Sequence, residues 1–191
     1  MNRAAFLDRD GVLNELVIDP ESGLPESPLE VEQVALIPGA ARALARLSRA
    51  GYLLVGASNQ PAAAKGKVAL EQLEAVHARV LELLAREGVM FEQFRVCWHH
   101  PDGVIDGLAG PCDCRKPAPG MLLEAMRELD IDPRRSWMIG DSDSDVLAAQ
   151  AAGVRSVLIE YPPSVHKRRG AASPNATVDD IGAAASLAVG R

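Results

Sequence analysis

Short apolar runs alternate along the chain with segments of helical period, and this alternation predicts an α/β fold. Short, mainly apolar runs, typical of buried strands, occupy residues 4–7, 52–57, 94–98, 137–140 and 156–159. Apolar residues recur with a helical period in segments 40–49, 66–87, 119–129 and 145–152, and a last helix is expected within 178–189. Segment 15–37 holds several prolines and glycines, which predicts a long loop that carries a small flap.

Strands that alternate with helices imply a mainly parallel sheet that is covered by helices on both faces. In such sheets, ligands bind beyond the carboxyl ends of the strands. Polar or reactive residues stand at four of the predicted strand ends: Asp8, Ser58, Cys97 and Asp141. The pattern therefore places a candidate active site at one edge of the sheet.

The length of 191 residues predicts a single domain, 1–191, built around one core. Hydrophobic residues make up 48% and charged residues 24%, as in an ordinary soluble globular protein. The net charge of −6 disfavours a nucleic-acid partner, and no apolar run approaches the roughly 20 residues of a membrane span. Asp8 and Arg9 come too early for a signal peptide. We therefore expect a cytoplasmic protein without membrane contact, and a monomer as its oligomeric state.

The segment Phe-Leu-Asp-Arg-Asp-Gly places two carboxylates two residues apart, directly after the first predicted strand. Asp8 can attack phosphorus to form an aspartyl phosphate. Asp10 can protonate the leaving oxygen and then deprotonate the attacking water. Gly11 allows the backbone to bend sharply after Asp10. Taken alone, the motif fits a turn or a calcium-type loop equally well, so its interpretation depends on later segments.

Three later segments supply the other groups that phosphoester cleavage needs. The hydroxyl of Ser58 and the backbone amides around Asn59 follow the second predicted strand and can hold phosphate oxygens. Lys116 can neutralise both the nucleophile and the phosphate. Asp141 is the first choice as a Mg²⁺ ligand, with Asp145 in support, although Asp145 is also suited to capping the following helix. Judged one at a time, a polar strand cap and an exposed lysine are the simpler interpretations.

All three cysteines lie within segment 97–114, and together with one histidine they form a candidate zinc site. The set matches the Cys₃His composition of closed structural sites and consists of Cys97, His99, Cys112 and Cys114. His99 is preferred over His100 because it repeats the one-residue gap between Cys112 and Cys114. An odd cysteine count argues against a disulfide framework. The alternative is three buried or free thiols beside an exposed histidine pair.

Taken together, these segments resemble the haloacid dehalogenase-like (HAD-like) phosphatase superfamily in their order and in their strand-end placement. The resemblance implies a Rossmann-like three-layer sandwich with a minimal cap or none. It implies that Asp8 is the nucleophile and Asp10 the acid/base, and that Ser58 and Lys116 bind phosphate. It further implies that Asp141 holds Mg²⁺ together with Asp8 and the carbonyl of Asp10.

Two segments narrow the resemblance. Cys-x-His-His-Pro at 97–101 and Cys-Asp-Cys-Arg-Lys-Pro-x-Pro-Gly-Met-Leu at 112–122 are similar to the D-glycero-D-manno-heptose 1,7-bisphosphate 7-phosphatases and the related histidinol-phosphate phosphatases. In that family zinc braces the loop that shapes a sugar-phosphate pocket, which implies a structural zinc here and a substrate contact by Arg115. We expect a Mg²⁺-dependent phosphatase acting on the heptose 7-phosphate. Histidinol phosphate is the alternative substrate, and a zinc-braced binding module without catalysis is the alternative of another class.

The chain departs from the family pattern at Pro61, which removes an amide donor, and at Ser142, where relatives frequently carry a larger basic or polar residue. The basic run at 167–169 is interpreted as a solvated loop. His77 is interpreted as a surface or boundary residue of its helix, and Trp137 as a core residue. None of these three features enters the predicted mechanism.

Overall fold

A computed structural model describes residues 1–190 of the chain; Arg191 lies outside the described residues. The strands are β1 (Ala4–Leu7), β2 (Val17–Ile18), β3 (Pro25–Glu26), β4 (Leu53–Asn59), β5 (Gln93–Cys97), β6 (Trp137–Gly140), β7 (Arg155–Ile159) and β8 (Ala176–Val178). The α-helices are α1 (Ala40–Arg49), α2 (Leu70–Arg86), α3 (Gly120–Glu128), α4 (Asp143–Ala152) and α5 (Ile181–Val189). Three short 3₁₀ helices cover Val31–Gln33, Pro133–Arg135 and Pro162–Lys167.

Six strands form one parallel sheet in the order β5-β4-β1-β6-β7-β8. β1 lies in the middle, where Phe6 stands opposite Val55 on one side and Met138 on the other. All four residues of β1 are buried, as expected for a strand covered on both faces. The central position of β1 brings the segment after Leu7 close to the ends of both neighbouring strands. The predicted parallel α/β architecture is confirmed.

Helices pack on both faces of the sheet and give three layers. Ala5 and Leu7 of β1 point into one core, which is completed by apolar residues of α1, α2 and α5. Ala4 and Phe6 point into the other core, which is completed by residues of α3 and α4. This alternation follows from the two-residue period of a strand, and it explains why the strands read as continuous apolar runs. None of the helices within 1–190 is long and apolar enough to cross a lipid bilayer.

Residues 15–37 form the small flap that the sequence predicts, and this segment is called the flap below. Val17 pairs with Glu26 and Ile18 with Pro25 in an antiparallel two-stranded hairpin, and a 3₁₀ turn follows. Asp19 and Lys67 join the flap to the turn before α2 through a 2.8 Å ion pair.

Two segments differ from the prediction. Residues 66–69 were expected to begin α2, but the helix starts at Leu70 because residues 61–67 form a series of turns, in which Lys65 N–H donates to the carbonyl of Pro61. At the other end of the chain, β8 was missed and the last helix is shorter than expected, beginning at Ile181 after the Asp180 side chain accepts from the amide of Ala183.

Candidate active site

The carboxylates of Asp8, Asp141 and Asp145 meet at the carboxyl edge of the sheet. Asp8 follows the last residue of β1, and Asp141 follows the last residue of β6. One oxygen from each of the three carboxylates lies within 4.8 Å of the others, and all three residues are buried. Three negative groups in so small a buried volume repel one another unless a cation lies between them.

Asp141 has the strongest need for such a cation. Both of its carboxylate oxygens are buried without a hydrogen-bond partner in the described chain. Burial and the charges of Asp8 and Asp145 raise the pKa of Asp141 to about 7, against the attraction of Lys167. Gly11 has φ +85°, and a Cβ atom there would lie 2.0 Å from Asp141 Oδ2. A glycine is therefore required at position 11 so that the loop after β1 can approach Asp141.

Lys116 is buried between two of the carboxylates. Its Nζ lies 3.0 Å from Asp8 Oδ1 and 2.5 Å from Asp145 Oδ1, and it also donates to the carbonyl of Ala57 at 2.6 Å. Burial opposes the charge of Lys116, but Asp145 and Asp8 raise its pKa well above the ordinary value, so the ammonium is charged. Asp145 thus serves Lys116 as a counter-ion, and its Oδ2 accepts from the hydroxyl and the amide of Ser142 at the start of α4.

The two phosphate-binding candidates on β4 have different surroundings. The hydroxyl oxygen of Ser58 is buried and accepts from Gln60 Nε2 at 2.9 Å. Asn59 instead uses both ends of its amide on Lys116: its Nδ2 donates to the Lys116 carbonyl at 2.9 Å, and its Oδ1 accepts from the Lys116 amide at 3.0 Å. The side chain of Asn59 therefore positions Lys116.

Asp8 presents one oxygen to its partners and leaves the other free. The Arg9 amide donates to Oδ1 at 2.7 Å, and Lys116 lies beside the same oxygen. Within 1–190, no protein hydrogen bond falls on Oδ2, which is the atom available for attack on a ligand. Burial and the Asp145 charge raise the pKa of Asp8, while Lys116 opposes them.

Asp10 is held by more partners than the sequence suggested. Its carboxylate accepts from Arg9 at 3.1–3.2 Å and from Asn14 at 2.8 Å, Ser27 at 2.9 Å and Gln60 at 2.5 Å. Burial opposes ionisation, but Arg9 and these donors lower the pKa of Asp10 to about 2. These contacts hold the carboxylate of Asp10 in its ionised form. Its side chain also lies outside the three-carboxylate group, so any metal contact of Asp10 must come from its backbone carbonyl.

The interpretation of 167–169 as a solvated loop is wrong for Lys167 and Arg168, whereas Arg169 is exposed. Lys167 ends a 3₁₀ helix and places its Nζ 3.8 Å from Asp141 Oδ2, with only 24% of the side chain exposed. Arg168 donates to the carbonyls of Asp141 and Tyr161, both at 3.2 Å. No periodicity or motif in the sequence indicates the contacts with Asp141, because Lys167 and Arg168 lie 26 and 27 residues after it.

Trp137 and His77, which have no role in the predicted mechanism, are buried to the degree that the sequence predicts. Trp137 is 8% exposed, and the guanidinium of Arg155 stacks over its ring at 3.9 Å. His77 is half-buried, with its ring 4.6 Å from that of Phe94 in an edge-on arrangement. Burial and the charge of Arg9 lower the pKa of His77 to about 4, so the imidazole is neutral at physiological pH.

The predicted thiol and imidazole ligands also come together. The Sγ atom of Cys97 lies 3.6 Å from that of Cys112, and the Sγ atom of Cys114 lies 2.9 Å from Cys97 and 3.4 Å from Cys112. His99 Nδ1 lies 3.8 Å from Cys97 Sγ and 3.4 Å from Cys114 Sγ. His100 is outside the group, and its Nδ1 accepts from the Asp102 amide.

Arg115 connects the thiol cluster with the carboxylate site. It stands between Cys114 and Lys116 in the sequence, and its Nη1 donates to the carbonyl of His99 at 3.3 Å. The same backbone segment therefore carries a thiol of one cluster and the buried ammonium of the other.

A cleft of about 250 Å³ lies between the flap and the turn before α2. Its lining includes Ser27 and Gln60, which both hold Asp10, and Lys65, Lys67 and Ile18 nearer the surface. The cleft thus begins at the acid/base candidate and opens toward solvent past two lysines.

A HAD-hydrolase-like family model matches residues 113–184. The D-glycero-beta-D-manno-heptose-1,7-bisphosphate 7-phosphatase of Pseudomonas aeruginosa is 38% identical over 95% of this chain and 94% of its own length. The enzyme of that name from Rhodopseudomonas palustris is 39% identical over 79% of each chain. The crystal structure of D,D-heptose 1.7-bisphosphate phosphatase from B. bronchiseptica, complexed with magnesium and phosphate, superposes with a TM-score of 0.78 at 31% identity over 96% of both chains.

The parallel α/β fold is that of the HAD-like hydrolases, and the relatives that match the chain are named phosphatases, which act on phosphate monoesters. Within that class, the chain belongs to the D-glycero-beta-D-manno-heptose-1,7-bisphosphate 7-phosphatase family.

Proposed function

We propose that this chain is a Mg²⁺-dependent phosphatase that removes the 7-phosphate of D-glycero-D-manno-heptose 1,7-bisphosphate through an aspartyl phosphate on Asp8. The observation that carries the proposal is the buried group of Asp8, Asp141 and Lys116 at the strand ends. Relatives of that name match nearly the whole chain, and one solved relative was crystallised with magnesium and phosphate.

The first step is an in-line displacement at phosphorus. Asp8 Oδ2 attacks, the bond from phosphorus to the sugar oxygen breaks, and Asp10 gives its proton to that oxygen. Lys116 lies 3.0 Å from Asp8 Oδ1 and donates to the carbonyl of Ala57, the residue before Ser58, so Lys116 and the Ser58 hydroxyl are the proposed donors to the non-bridging oxygens. In the second step Asp10 takes a proton from water, which attacks phosphorus and releases inorganic phosphate and the Asp8 carboxylate.

Asp10 must be protonated for the first step, although its pKa is about 2 without substrate. A bound phosphate dianion opposes the charge of Arg9 and disfavours a second nearby negative charge. Substrate binding is therefore expected to raise the pKa of Asp10 and to load it with the proton that the leaving oxygen needs. Ser27 and Gln60 can exchange their contacts with Asp10 for contacts with substrate, since both line the cleft.

The carboxylates of Asp8 and Asp141 and the carbonyl of Asp10 are the proposed ligands of Mg²⁺. The unpartnered oxygens of Asp141 fit this role, because hard oxygen ligands without hydrogen bonds suit a hard cation. When bound, the ion supplies positive charge that offsets the crowded carboxylates and the transferring phosphoryl group. Asp145 supports the site indirectly through Lys116, which it contacts at 2.5 Å.

Cys97, His99, Cys112 and Cys114 are the proposed ligands of a structural zinc ion. Bonds of about 2.3 Å from zinc to sulfur in a tetrahedral site place sulfur atoms about 3.8 Å apart, close to two of the three sulfur separations observed here. Four protein ligands fill a tetrahedral zinc and leave no position for substrate. The ion would therefore hold the loop 97–114, and with it Arg115 and Lys116, in place.

The proposal extends to the domain organisation and the setting of the protein. We propose one HAD-like domain, 1–191, because six of the described strands form a single sheet and the other two form the flap. The proposed contacts for the rest of the sugar phosphate are Lys65 and Lys67, which line the cleft, and Arg115, which the family resemblance implies. The proposed setting is a cytoplasmic monomer, in which the thiols stay reduced for the metal.

The proposal is tested by phosphate release from heptose 1,7-bisphosphate and from histidinol phosphate, with and without Mg²⁺. We expect kcat/KM to be higher for the heptose bisphosphate than for histidinol phosphate. Turnover is expected to require Mg²⁺. A preference for histidinol phosphate would reassign the substrate and keep the mechanism. Absence of release from a broad set of phosphomonoesters would leave only the binding-module hypothesis.

A further inference from the structure

Lys167 is the third cation of the carboxylate site, and the predicted mechanism does not use it. Its Nζ lies 3.8 Å from Asp141 Oδ2, and its charge also acts on Asp10, Asp8 and Asp145. It comes from the 3₁₀ helix after β7, an element that contributes nothing else to the proposed chemistry.

The backbone around Lys167 is fixed by contacts other than its own charge. The hydroxyl of Ser164 and the guanidinium of Arg168 both donate to the carbonyl of Asp141, at 3.4 and 3.2 Å. The amide of Arg169 donates to Asp143 Oδ2 at 2.7 Å. The loop that carries Lys167 is thus attached to the loop that carries Asp141, and the ammonium is held at the site by this attachment.

The charges of the buried site show why such a lysine is useful. Four carboxylates, of Asp8, Asp10, Asp141 and Asp145, face three cations: Arg9, Lys116 and Lys167. Arg9 is committed to Asp10, and Lys116 is shared between Asp8 and Asp145. Once a divalent cation is bound beside Asp141, the site has an excess of positive charge, and the ammonium of Lys167 no longer has a negative partner of its own. A phosphate dianion, together with the proton that Asp10 must carry in the proposed mechanism, brings the net charge of these groups to zero.

We propose that Lys167 binds the reacting phosphoryl group of the substrate, donating to its non-bridging oxygens from beside Asp141. Together with Lys116, it would place ammonium groups on the phosphoryl group from two separate segments of the chain. The inference rests on the proposed function, since it assigns Lys167 to the phosphate that Asp8 attacks. It predicts opposite effects of Lys167 on the two ligands of the site: attraction of phosphate and repulsion of Mg²⁺.

The test compares Lys167→Met with Arg169→Met. Arg169 is an exposed basic residue of the same loop, and its side chain makes no hydrogen bond or ion pair with residues 1–190. Titration calorimetry measures the Kd of inorganic phosphate in the presence of Mg²⁺, and separately the Kd of Mg²⁺ without phosphate. Lys167→Met is expected to weaken phosphate about 10- to 100-fold, as for loss of one charge-assisted hydrogen bond. The same variant is expected to bind Mg²⁺ more tightly, and Arg169→Met to leave both constants unchanged.

A structural role for Lys167 would weaken both ligands together and lower the Tm, which would overturn the inference. Unchanged phosphate affinity in Lys167→Met would overturn it as well. Lys167→Arg keeps the charge and is expected to retain phosphate affinity to within a few-fold, which separates loss of the cation from damage to the loop. Failure of the inference alone leaves wild-type turnover and Mg²⁺-dependent phosphate binding intact. If the proposed function is wrong, the wild-type protein shows neither turnover nor Mg²⁺-dependent phosphate binding.

Discussion

The two clusters of potential metal ligands are built in opposite ways. The carboxylates come from separate strand ends brought side by side by the parallel sheet, so that Asp8 and Asp141 meet across 133 residues of chain. The thiols and imidazole come from one continuous segment, which begins at the end of β5 with Cys97 and runs through a loop to Cys114. The first cluster is therefore a product of the whole fold, whereas the second is local.

The difference predicts different consequences of losing each cluster. The carboxylate residues repel one another inside a sheet that is stable for other reasons, so their replacement is expected to abolish chemistry without unfolding the protein. Most residues at 101–111, between the ligands, are exposed, so the order of this loop is expected to depend on the metal. The segment Cys114–Lys116 joins the two clusters, and damage to the loop is expected to impair the chemistry through Lys116.

The largest effect is expected from Asp8→Asn. The amide cannot act as the nucleophile, so kcat should fall by at least about 10³-fold. Since Asp8 adds repulsion to the site, the Tm should be unchanged or higher, and the zinc content should be retained. Steady-state kinetics, thermal unfolding and metal analysis of one preparation check all three. Retained turnover would remove the nucleophile assignment.

A matched histidine pair tests the local cluster. His99→Gln is expected to lose zinc, to lower the Tm by roughly 5–10 °C, and to reduce kcat/KM by disturbing the position of Lys116. His100→Gln changes the neighbouring imidazole, which lies outside the cluster, and should keep zinc and activity. Equal zinc content in the two variants would contradict the ligand assignment.

The pH dependence of stability tests the carboxylate cluster. Burial and neighbouring carboxylates raise the pKa of Asp141 from 3.8 to about 7, so the folded protein holds this proton more tightly than the unfolded chain. The associated stability is present below pH 4 and is lost as the pH rises through 7. Without Mg²⁺, Asp141→Asn should therefore exceed the wild type in Tm by a growing margin, a few °C or more at pH 8.

Saturating Mg²⁺ should remove that margin by raising the Tm of the wild type alone, since the variant lacks the ligand. Thermal unfolding of both proteins from pH 4 to 8, with and without Mg²⁺, measures the effect. Parallel curves for the two proteins would show that Asp141 is not a strained carboxylate.

The smallest effect is expected at the flap. Asp19 and Lys67 form a partly exposed ion pair, which contributes at most about 1 kcal/mol to stability. Asp19→Asn should leave the Tm within about 2 °C but raise KM a few-fold, because the pair holds the flap over the cleft. Glu21→Gln, which alters a more distant and exposed partner of Lys67, is the control. A change in kcat with unchanged KM would place the pair in the chemistry instead.

Much of the fold could be predicted from the sequence, because buried parallel strands appear as apolar runs and reactive residues follow them. The edge strand β8 could not, since its three residues are only partly buried and show no apolar run. At the site, Asp8, Asp141 and Lys116 were predicted from their placement, whereas Lys167 was missed. Its role depends on the packing of the loop after β7 against Asp141, and the spacing of residues along the chain does not indicate that contact.

The environment of Asp10 was likewise hidden. Arg9 and Gln60 both contact it, but neither belongs to a pattern that sequence reasoning associates with a proton donor. The low pKa of Asp10 in the ligand-free protein is a property of this network and could be recognised only from the folded arrangement.

The most direct test of the central claim is to trap the phosphorylated enzyme. The protein is mixed with heptose 1,7-bisphosphate and Mg²⁺, quenched in acid within milliseconds and reduced with borohydride, which converts an aspartyl phosphate to homoserine. The account predicts homoserine at position 8, detected by peptide mass spectrometry, and none in Asp8→Asn. Turnover without any modification at position 8, or with modification at Asp10 or Asp141 instead, would contradict it.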